Sequence, residues 1–203
     1  MRIEHHGTSP VFGDIKAAFP TSESEWLAFR RDYLCASEFG VAAGVSPFES
    51  INQLVVKKKY NQRAPFSEAM RLGHELEPRV AAAAADKWGF DIQKVEYFLF
   101  SDDFKVGATL DYIMKLDDGV WCPLEIKTTS ERNLKFGWLK GIPAHYRYQL
   151  ELQCALFSAD PRGRICVFTK DSKQLLMRDV TLTPERMAHL RDVSIGFWQR
   201  FNK

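Results

Sequence analysis

The spacing of hydrophobic residues divides the chain into a helical first part and a strand-rich second part. Up to residue 88, apolar side chains recur every three or four positions, which is the period of an amphipathic helix. This period predicts helices over residues 21–33, 37–44, 50–60 and 67–88. Pro78 predicts a kink or a restart in the last of them, and a loop is expected over 61–66. The segment 1–20 contains two glycines and two prolines and predicts an irregular arm.

From residue 95 onward the hydrophobic period changes to two, which is typical of β-strands. This alternation predicts strands over residues 95–100, 105–108, 110–116, 120–128, 164–169 and 174–182. Two further helices are expected over 144–159 and 184–201. The chain thus has helices first, then mostly antiparallel strands, and then a mixture of both. This order predicts an α/β (α+β) fold in which a central mixed β-sheet is flanked by helices within a single domain.

The overall composition excludes several classes of protein. The 203 residues include 28 Lys and Arg against 26 Asp and Glu, and this net charge of +2 is too small for binding nucleic acid through charge alone. No apolar run approaches the roughly 20 residues of a membrane span. The four cysteines are scattered singly, which argues against a zinc ribbon or an iron–sulfur cluster. Because no signal-peptide pattern is visible, we expect reduced thiols and a cytoplasmic protein.

A short hairpin in the second part brings two acidic residues together. The strands around residues 117–119 (Asp-Asp-Gly) predict a three-residue turn in which Leu116 pairs with Val120. Counting outward from that pair places Asp111 opposite Glu125, with Cβ atoms about 4.5–5.5 Å apart. Two carboxylates at about 5 Å repel each other by roughly 3 kcal/mol at an effective dielectric near 20. A divalent cation between them reverses that sign, and ligands that are all oxygen favour Mg²⁺ or Mn²⁺ over Zn²⁺.

Lys127 adds a positive charge to the same face of this strand, because it lies two residues after Glu125. Ile126 points to the opposite face and can anchor the strand in the core with Leu124 and Thr128. This arrangement is typical of a metal site with an ammonium group beside it, which can polarise a water molecule or neutralise developing negative charge. The alternative is a surface ion pair worth about 0–1 kcal/mol.

The combination of Asp111, a short loop and Glu125-x-Lys127 resembles the signature of the PD-(D/E)XK nucleases. Four further stretches, in the same order, resemble the lambda-exonuclease/YqaJ-like viral recombinase family within that superfamily. These stretches are residues 26–30 with 36–38, residues 72–77, residues 107–111, and residues 143–146 with Gln149 and Gln153. The resemblance covers residues 26–157, which is most of the chain.

This resemblance implies a restriction-endonuclease-like core and the activity of a phage-type alkaline exonuclease, which is a metal-dependent deoxyribonuclease. Such enzymes use Mg²⁺, for which Mn²⁺ is a possible substitute, and digest one strand of linear double-stranded DNA from a 5′-phosphate end. They leave 3′ overhangs for phage-type homologous recombination. The resemblance further implies a ring-shaped homotrimer and a single-strand annealing protein as a partner.

The resemblance also assigns catalytic residues one by one. Asp111, Glu125 and the backbone carbonyl of Ile126 match metal ligands. Lys127 matches the catalytic lysine, and Glu77 matches a further acidic ligand on a helix. A fourth oxygen donor of this kind supports hydrolysis of a phosphodiester by one or two metal ions.

A second set of residues matches positions that bind DNA in the resembled family. Arg30, Ser37 and Gln149 match a group that binds the 5′-terminal phosphate, and Met70 falls where the family places an apolar wedge that splits the end of the duplex. A planar, permanently charged guanidinium suits a phosphate monoester. The alternatives are a surface arginine at Arg30 and a helix N-cap at Ser37.

Some positions leave alternatives open or depart from the family pattern. Glu75 rivals Glu77 as the acidic residue of its helix. The family usually has proline before its strand aspartate and glycine after it, whereas this chain has Leu110 and Tyr112. We expect the tyrosine to alter the local strand geometry.

Two other functions compete with the exonuclease. One is a restriction-like endonuclease on the same fold, which needs no phosphate anchor and would cut closed circular DNA. The other is a non-catalytic module that binds DNA ends, which would bind without digestion that depends on Mg²⁺.

Overall fold

Two five-stranded sheets form the framework of the protein in a computed structural model that describes residues 1–62 and 67–203. In chain order the strands are β1 Arg2–Ser9, β2 Gly13–Phe19, β3 Leu34–Cys35, β4 Ile92–Lys94, β5 Phe98–Ser101, β6 Val106–Thr109, β7 Tyr112–Lys115, β8 Trp121–Thr129, β9 Arg162–Thr169 and β10 Leu175–Thr181. The first sheet has the order β1-β2-β5-β6-β3 and the second β10-β9-β8-β7-β4. The pairs β3–β6 and β8–β9 are parallel, so both sheets are mixed.

Helices flank these sheets. In chain order they are α1 Glu23–Arg30, α2 Ala36–Ala42, α3 Ile51–Lys59, α4 Glu68–Trp88, α5 Glu131–Phe136, α6 Ala144–Phe157 and α7 Pro184–Phe201, with a 3-10 turn at Trp138–Lys140. The predicted α/β class is confirmed. The structure divides the mixed sheet into two, because β6 ends at Thr109 in the first sheet and β7 begins at Tyr112 in the second. Leu110 and Asp111 therefore carry the chain from one sheet to the other.

The prediction of an irregular arm over 1–20 is wrong, because β1 and β2 form an antiparallel hairpin at the edge of the first sheet. Gly13 begins β2 with a left-handed φ of +67°, and a register shift between His5 and Gly7 marks a bulge. Ile15 and Ala17 of β2 are buried, and β2 pairs with β5. The glycines thus mark a turn and a bulge within regular structure.

Most predicted helices are present, with small shifts at their ends. Ser50 caps α3 as its sequence suggests, since its side chain accepts a hydrogen bond from Gln53 N. Helix α4 runs without a break through Pro78, so of the predicted kink or restart the restart is wrong and the kink stays a prediction. Part of the loop predicted over 61–66 lies outside the described residues. None of the helices in the described ranges combines the length and apolar character needed to cross a membrane.

Helix α6 lies in the largest hydrophobic cluster and contacts strands of both sheets. Its residues Leu150, Leu152 and Leu156 are almost fully buried. Helix α4 packs in a second cluster, where Val80 lies with Ile126 of β8. Strand β8 is therefore held between two helices, with α6 on the face that carries its polar side chains.

Candidate active site

The hairpin between β7 and β8 has the register predicted from the sequence. Leu116 N donates to Val120 O at 2.8 Å, and Gly119 adopts a φ of +85° in the turn between them. Further along the same hairpin, Tyr112 pairs with Leu124. The three-residue turn therefore determines which residues face each other at the far end of the hairpin.

Asp111 lies one position beyond the last pair of this hairpin and turns its side chain toward β8. Its Oδ2 accepts a hydrogen bond of 2.9 Å from Ile126 N. Along β8, Glu125 and Lys127 face α6, whereas Leu124 and Ile126 are buried against the cluster of α4. The structure thus brings Asp111, Glu125 and Lys127 together around the backbone of Ile126, and their catalytic roles remain predictions.

Donors surround the carboxylate of Glu125, which is only 1% exposed. Gln149 Nε2 donates to its Oε1 at 2.6 Å, and Gln153 Nε2 donates to its Oε2 at 2.6 Å. Lys127 Nζ is hydrogen-bonded to Oε1 and lies 5.2 Å from the centre of the Tyr146 ring. Because Gln149 and Gln153 are four residues apart on α6, both reach the same carboxylate. Gln149, predicted to bind the terminal phosphate, is therefore bonded to an acidic residue in this structure.

The charges in this cluster shift the proton affinities of its members. Burial and the charge of Glu125 raise the pKa of Asp111 to about 8, with a smaller contribution from Glu77 in the same direction. Lys127 and the Ile126 N–H act against this shift. Burial lowers the pKa of Lys127, but the charges of Glu125 and Asp111 outweigh it and raise that pKa above its ordinary value. Lys127 is therefore positively charged. Its single charge does not balance the two carboxylates of Asp111 and Glu125.

Asp111, Glu125 and Glu77 form an acidic cluster, to which Glu75 does not belong. The side chain of Glu77 is 13% exposed, whereas that of Glu75 is 56% exposed and pairs with Arg71 at the helix surface. One oxygen of Glu77 is bonded to Lys94 Nζ, and the other lies 3.9 Å from His74 Nδ1. The sequence patterns do not identify Lys94, because it lies on the three-residue strand β4 and no motif includes it.

Arg30 and Ser37, the predicted phosphate anchor, lie within hydrogen-bond distance of each other, and their role in binding phosphate remains a prediction. Arg30 Nη2 donates to Ser37 Oγ at 3.3 Å, and the guanidinium lies 4.5 Å from the centre of the Trp26 ring. The N-cap alternative for Ser37 is wrong, because Cys35 caps α2 and its N–H donates to Glu38 Oε2 at 2.9 Å. Ser37 is instead an exposed residue in the first turn of α2.

A series of contacts connects this anchor to the acidic cluster. Trp26 Nε1 donates to Thr109 Oγ1 at 3.3 Å, while Gln153 Nε2 donates to Thr109 O at 3.1 Å and also to Glu125. Arg30, which stacks on Trp26, is therefore separated from Glu125 by three residues. The anchor and the carboxylates are parts of one connected region.

Met70, predicted to split the end of the duplex, is 49% exposed in the first turn of α4, and its role remains a prediction. A cavity of about 200 Å³ adjoins Arg30, and its described lining includes Arg31, Lys57 and Lys58 as further basic residues against the acidic residue Glu38. Within it, Lys58 Nζ lies 2.8 Å from Glu38 Oε2. The surroundings of the anchor are therefore basic.

The donor chemistry of the acidic cluster fits a hard divalent cation, because its atoms are carboxylate and backbone oxygens. Among the described residues, no three His, Cys, Asp or Glu side chains form a ready metal-binding group. Such a cation would depend on Asp111, Glu125 and the carbonyl of Ile126, with Glu77 engaged by Lys94. Burial, followed by the charge of Glu125, raises the pKa of Asp111, and a cation would balance the second of these contributions.

A comparison with known protein families identifies one family whose sequence pattern matches this chain. A YqaJ-like viral recombinase domain matches residues 25–159, about two thirds of the chain. The chain belongs to this family. The match contains Arg30, Glu77, Asp111, Glu125 and Lys127, and YqaJ-like membership supports a nuclease that acts in recombination.

Solved structures support the same fold for this YqaJ-like protein. An alkaline exonuclease from Laribacter hongkongensis is 17% identical, with a TM-score of 0.72 over 88% of this chain and 92% of that one. Its complex with dAMP gives 16% identity and a TM-score of 0.68 over the same shares. A phage-related exonuclease from Haemophilus somnus 129PT is 10% identical, with a TM-score of 0.59 over 83% of this chain and 92% of that one. No match is found among curated proteins.

Proposed function

We propose that this YqaJ-like protein is a Mg²⁺-dependent 5′→3′ exonuclease. It digests one strand of linear double-stranded DNA and leaves 3′ overhangs for phage-type recombination. The observation that carries the proposal is the connection of Arg30 to Glu125 through Trp26, Thr109 and Gln153. An enzyme that cleaves beside a terminal phosphate needs a phosphate anchor close to its hydrolytic site. The contacts between Arg30 and Glu125 support the proposal that Arg30 provides the anchor and that Glu125 belongs to the hydrolytic site.

The acidic cluster carries out hydrolysis of the phosphodiester bond. The oxygens of Asp111 and Glu125 would hold a divalent cation, which would supply Lewis-acid stabilisation of negative charge at the scissile phosphate. Lys127, which is positively charged beside Glu125, donates a hydrogen bond to a phosphate oxygen as that charge develops. Gln149 and Gln153 keep Glu125 in one orientation, so that its oxygens do not need to reorganise during the reaction.

Arg30 and Ser37 select the end of the strand. The guanidinium lies against Trp26 and Ser37 and also contacts the side chain of Cys35, and its planar set of N–H groups suits the oxygens of a phosphate monoester. A 5′-hydroxyl end offers no such dianion, and an internal phosphodiester carries only one negative charge. The anchor therefore favours 5′-phosphorylated ends over 5′-hydroxyl ends and over internal sites.

Digestion of defined DNA substrates tests this function. Linear duplexes labelled on each strand, with 5′-phosphate or 5′-hydroxyl ends, are incubated with Mg²⁺ or with EDTA. We expect loss of the phosphorylated strand from its 5′ end, no digestion in EDTA, and slower digestion of the hydroxyl end. Arg30→Ala should remove the difference between the two ends, and the neighbouring variant Arg31→Ala should retain it.

Other outcomes of the same assay favour the competing functions. Cleavage of closed circular DNA would indicate a restriction-like endonuclease. Binding of DNA ends without digestion that depends on Mg²⁺ would indicate a non-catalytic module. Equal digestion of both kinds of end would contradict the role proposed for Arg30 and Ser37.

The assembly and the partners belong to the same proposal. We infer that the protein acts in the cytoplasm as a ring-shaped homotrimer, with Met70 splitting the end of the duplex and a single-strand annealing protein receiving the overhang. Light scattering of the purified protein measures its oligomeric state. A monomer at working concentration would contradict the ring.

A further inference from the structure

Lys94 lies beside the acidic cluster, on strand β4 at the edge of the second sheet. Its Nζ is hydrogen-bonded to Glu77 Oε1 and lies 4.5 Å from the centre of the Tyr112 ring. Lys94 and Tyr112 are directly paired in the β4–β7 ladder, so the strand pairing itself places the ammonium group over the ring. Three elements therefore hold this lysine against Glu77: β4, β7 and α4.

This ion pair differs from ordinary surface pairs in what surrounds it. The Glu77 side chain is 13% exposed, and its charge acts on Asp111. The cluster then contains three carboxylates and two ammonium groups, because Lys127 is bonded to Glu125 and Lys94 is bonded to Glu77. Lys94 thus supplies positive charge at a carboxylate that a divalent cation could otherwise use.

The residue beneath Lys94 links it to the acidic cluster. Tyr112 follows Asp111 directly in the chain. Its ring lies under the ammonium group, and such an arrangement stabilises a cation by about 0.5–2 kcal/mol. A glycine could not support Lys94 in this way, so the tyrosine and the lysine form a unit.

We propose that Lys94 is a positioning residue that acts through Glu77 and competes with a divalent cation for its carboxylate. Lys94 therefore weakens cation binding at the acidic cluster, and it keeps Glu77 paired when no cation is bound. This inference rests on the proposed function, because it assumes that the cluster binds a divalent cation. It adds a residue that sets the cation concentration at which the enzyme becomes active.

Binding of Mn²⁺ to the DNA-free protein tests the proposal without any measurement of nuclease activity. Electron paramagnetic resonance gives the concentration of free Mn²⁺ and hence the dissociation constant. We expect Lys94→Gln to bind Mn²⁺ about tenfold more tightly, because a like charge has been removed from the vicinity of the cation. Lys94→Arg keeps the charge and should retain an affinity close to that of the wild type.

Two further variants separate this effect from a general change in charge. Lys115→Gln removes an exposed lysine from the turn end of β7, away from Asp111, and should change the affinity by less than about twofold, because solvent and salt screen a charge at that separation. In a Glu77→Gln background, Lys94→Gln should have a much smaller effect than in the wild type, since its target carboxylate is absent.

The outcomes distinguish the inference from the function on which it rests. An unchanged or weaker Mn²⁺ affinity in Lys94→Gln, with normal binding by the wild type and an unchanged melting temperature, overturns the competition by Lys94 and leaves the nuclease proposal intact. If the wild type itself binds no Mn²⁺, both proposals fail. An equal effect of Lys94→Gln in the Glu77→Gln background shows that Lys94 does not act through Glu77 and also overturns the inference.

Discussion

Gln153 joins Glu125 to Thr109: the same Nε2 donates to Glu125 Oε2 at 2.6 Å and to Thr109 O at 3.1 Å. Thr109 ends β6, where the chain leaves the first sheet, and Glu125 lies in the second sheet. One buried amide therefore satisfies acceptors on both sheets. Gln149 and Gln153, four residues apart on α6, thus both support the carboxylate of Glu125.

Replacing this amide should weaken both the fold and the site. Gln153→Met leaves Glu125 Oε2 and Thr109 O without this donor, and each buried acceptor left unpaired costs about 1–3 kcal/mol. Partners of metal ligands typically contribute about 10–100-fold to metal affinity, so Mn²⁺ binding should weaken by that order. Thermal unfolding and Mn²⁺ titration measure the two effects. Gln199→Met, the same change at an exposed site on α7, should alter neither.

Replacement of Lys127 should slow hydrolysis without weakening the binding of a cation. Lys127→Ala removes a donor aimed at developing charge, and we expect strand digestion to slow by about 10³-fold in Mg²⁺. The affinity for Mn²⁺ should not fall, because the variant removes a positive charge from the cluster. Gel assays of a 5′-phosphorylated duplex and Mn²⁺ titration provide the two measurements. Digestion at the normal rate would remove Lys127 from the mechanism.

The titration of Asp111 predicts how cation affinity depends on pH. Its pKa rises from an ordinary value of 3.8 to about 8 in the folded protein, chiefly through burial and the charge of Glu125. Between these values the folded protein holds a proton that the unfolded chain has lost, so ionisation of Asp111 destabilises the cation-free fold as the pH rises toward 8. A cation displaces that proton, and its affinity should therefore increase up to about pH 8 and then level off.

Calorimetry in two buffers of different ionisation enthalpy checks this titration by counting protons released on Mn²⁺ binding. We expect close to one proton from Asp111 well below pH 8 and almost none well above it. Asp111→Asn should abolish most of the binding and should raise the melting temperature of the cation-free protein at alkaline pH. Cation affinity that is independent of pH would contradict the raised pKa.

A glycine between two helices should be sensitive to a single methyl group. A Cβ at Gly40 of α2 would lie 2.7 Å from the Cα of His145 in α6, so the two helices would have to separate. We expect Gly40→Ala to destabilise the fold by about 1–3 kcal/mol and to lower activity, because α6 carries Gln149 and Gln153. Gly196→Ala on α7, where a Cβ meets nothing within 4 Å, should be neutral or stabilising. Thermal unfolding compares the two.

Much of the site can be predicted from local patterns. The turn at 117–119 and the two-residue period of strands are enough to place Asp111 opposite Glu125 and to set Lys127 beside it. Both signals lie within the segment 111–127, so no tertiary information is needed. The resemblance to a nuclease family brought in Arg30 and Ser37, which periodicity alone could not distinguish from surface residues.

The remaining features depend on contacts between distant segments. Lys94 meets Glu77 only because β4 pairs with β7 beside α4. The partners of Gln149 and Gln153 depend on the docking of α6, which helical spacing does not specify. The N-terminal hairpin is stabilised by pairing with β5, which lies far along the chain beyond α4, and its glycines resemble those of a loop when considered alone.

Asp111 lies where the chain passes from one sheet to the other. Motion between the sheets and binding of a cation therefore affect the same residue. Because Asp111 joins the two sheets and Glu125 lies within the second, a movement of one sheet against the other would change the separation of their carboxylates. A bound cation would resist such motions in the way that a crosslink does. Substitutions at the boundary between the sheets, even those far from the carboxylates, should therefore change both the rigidity of the protein and the cation concentration that it requires.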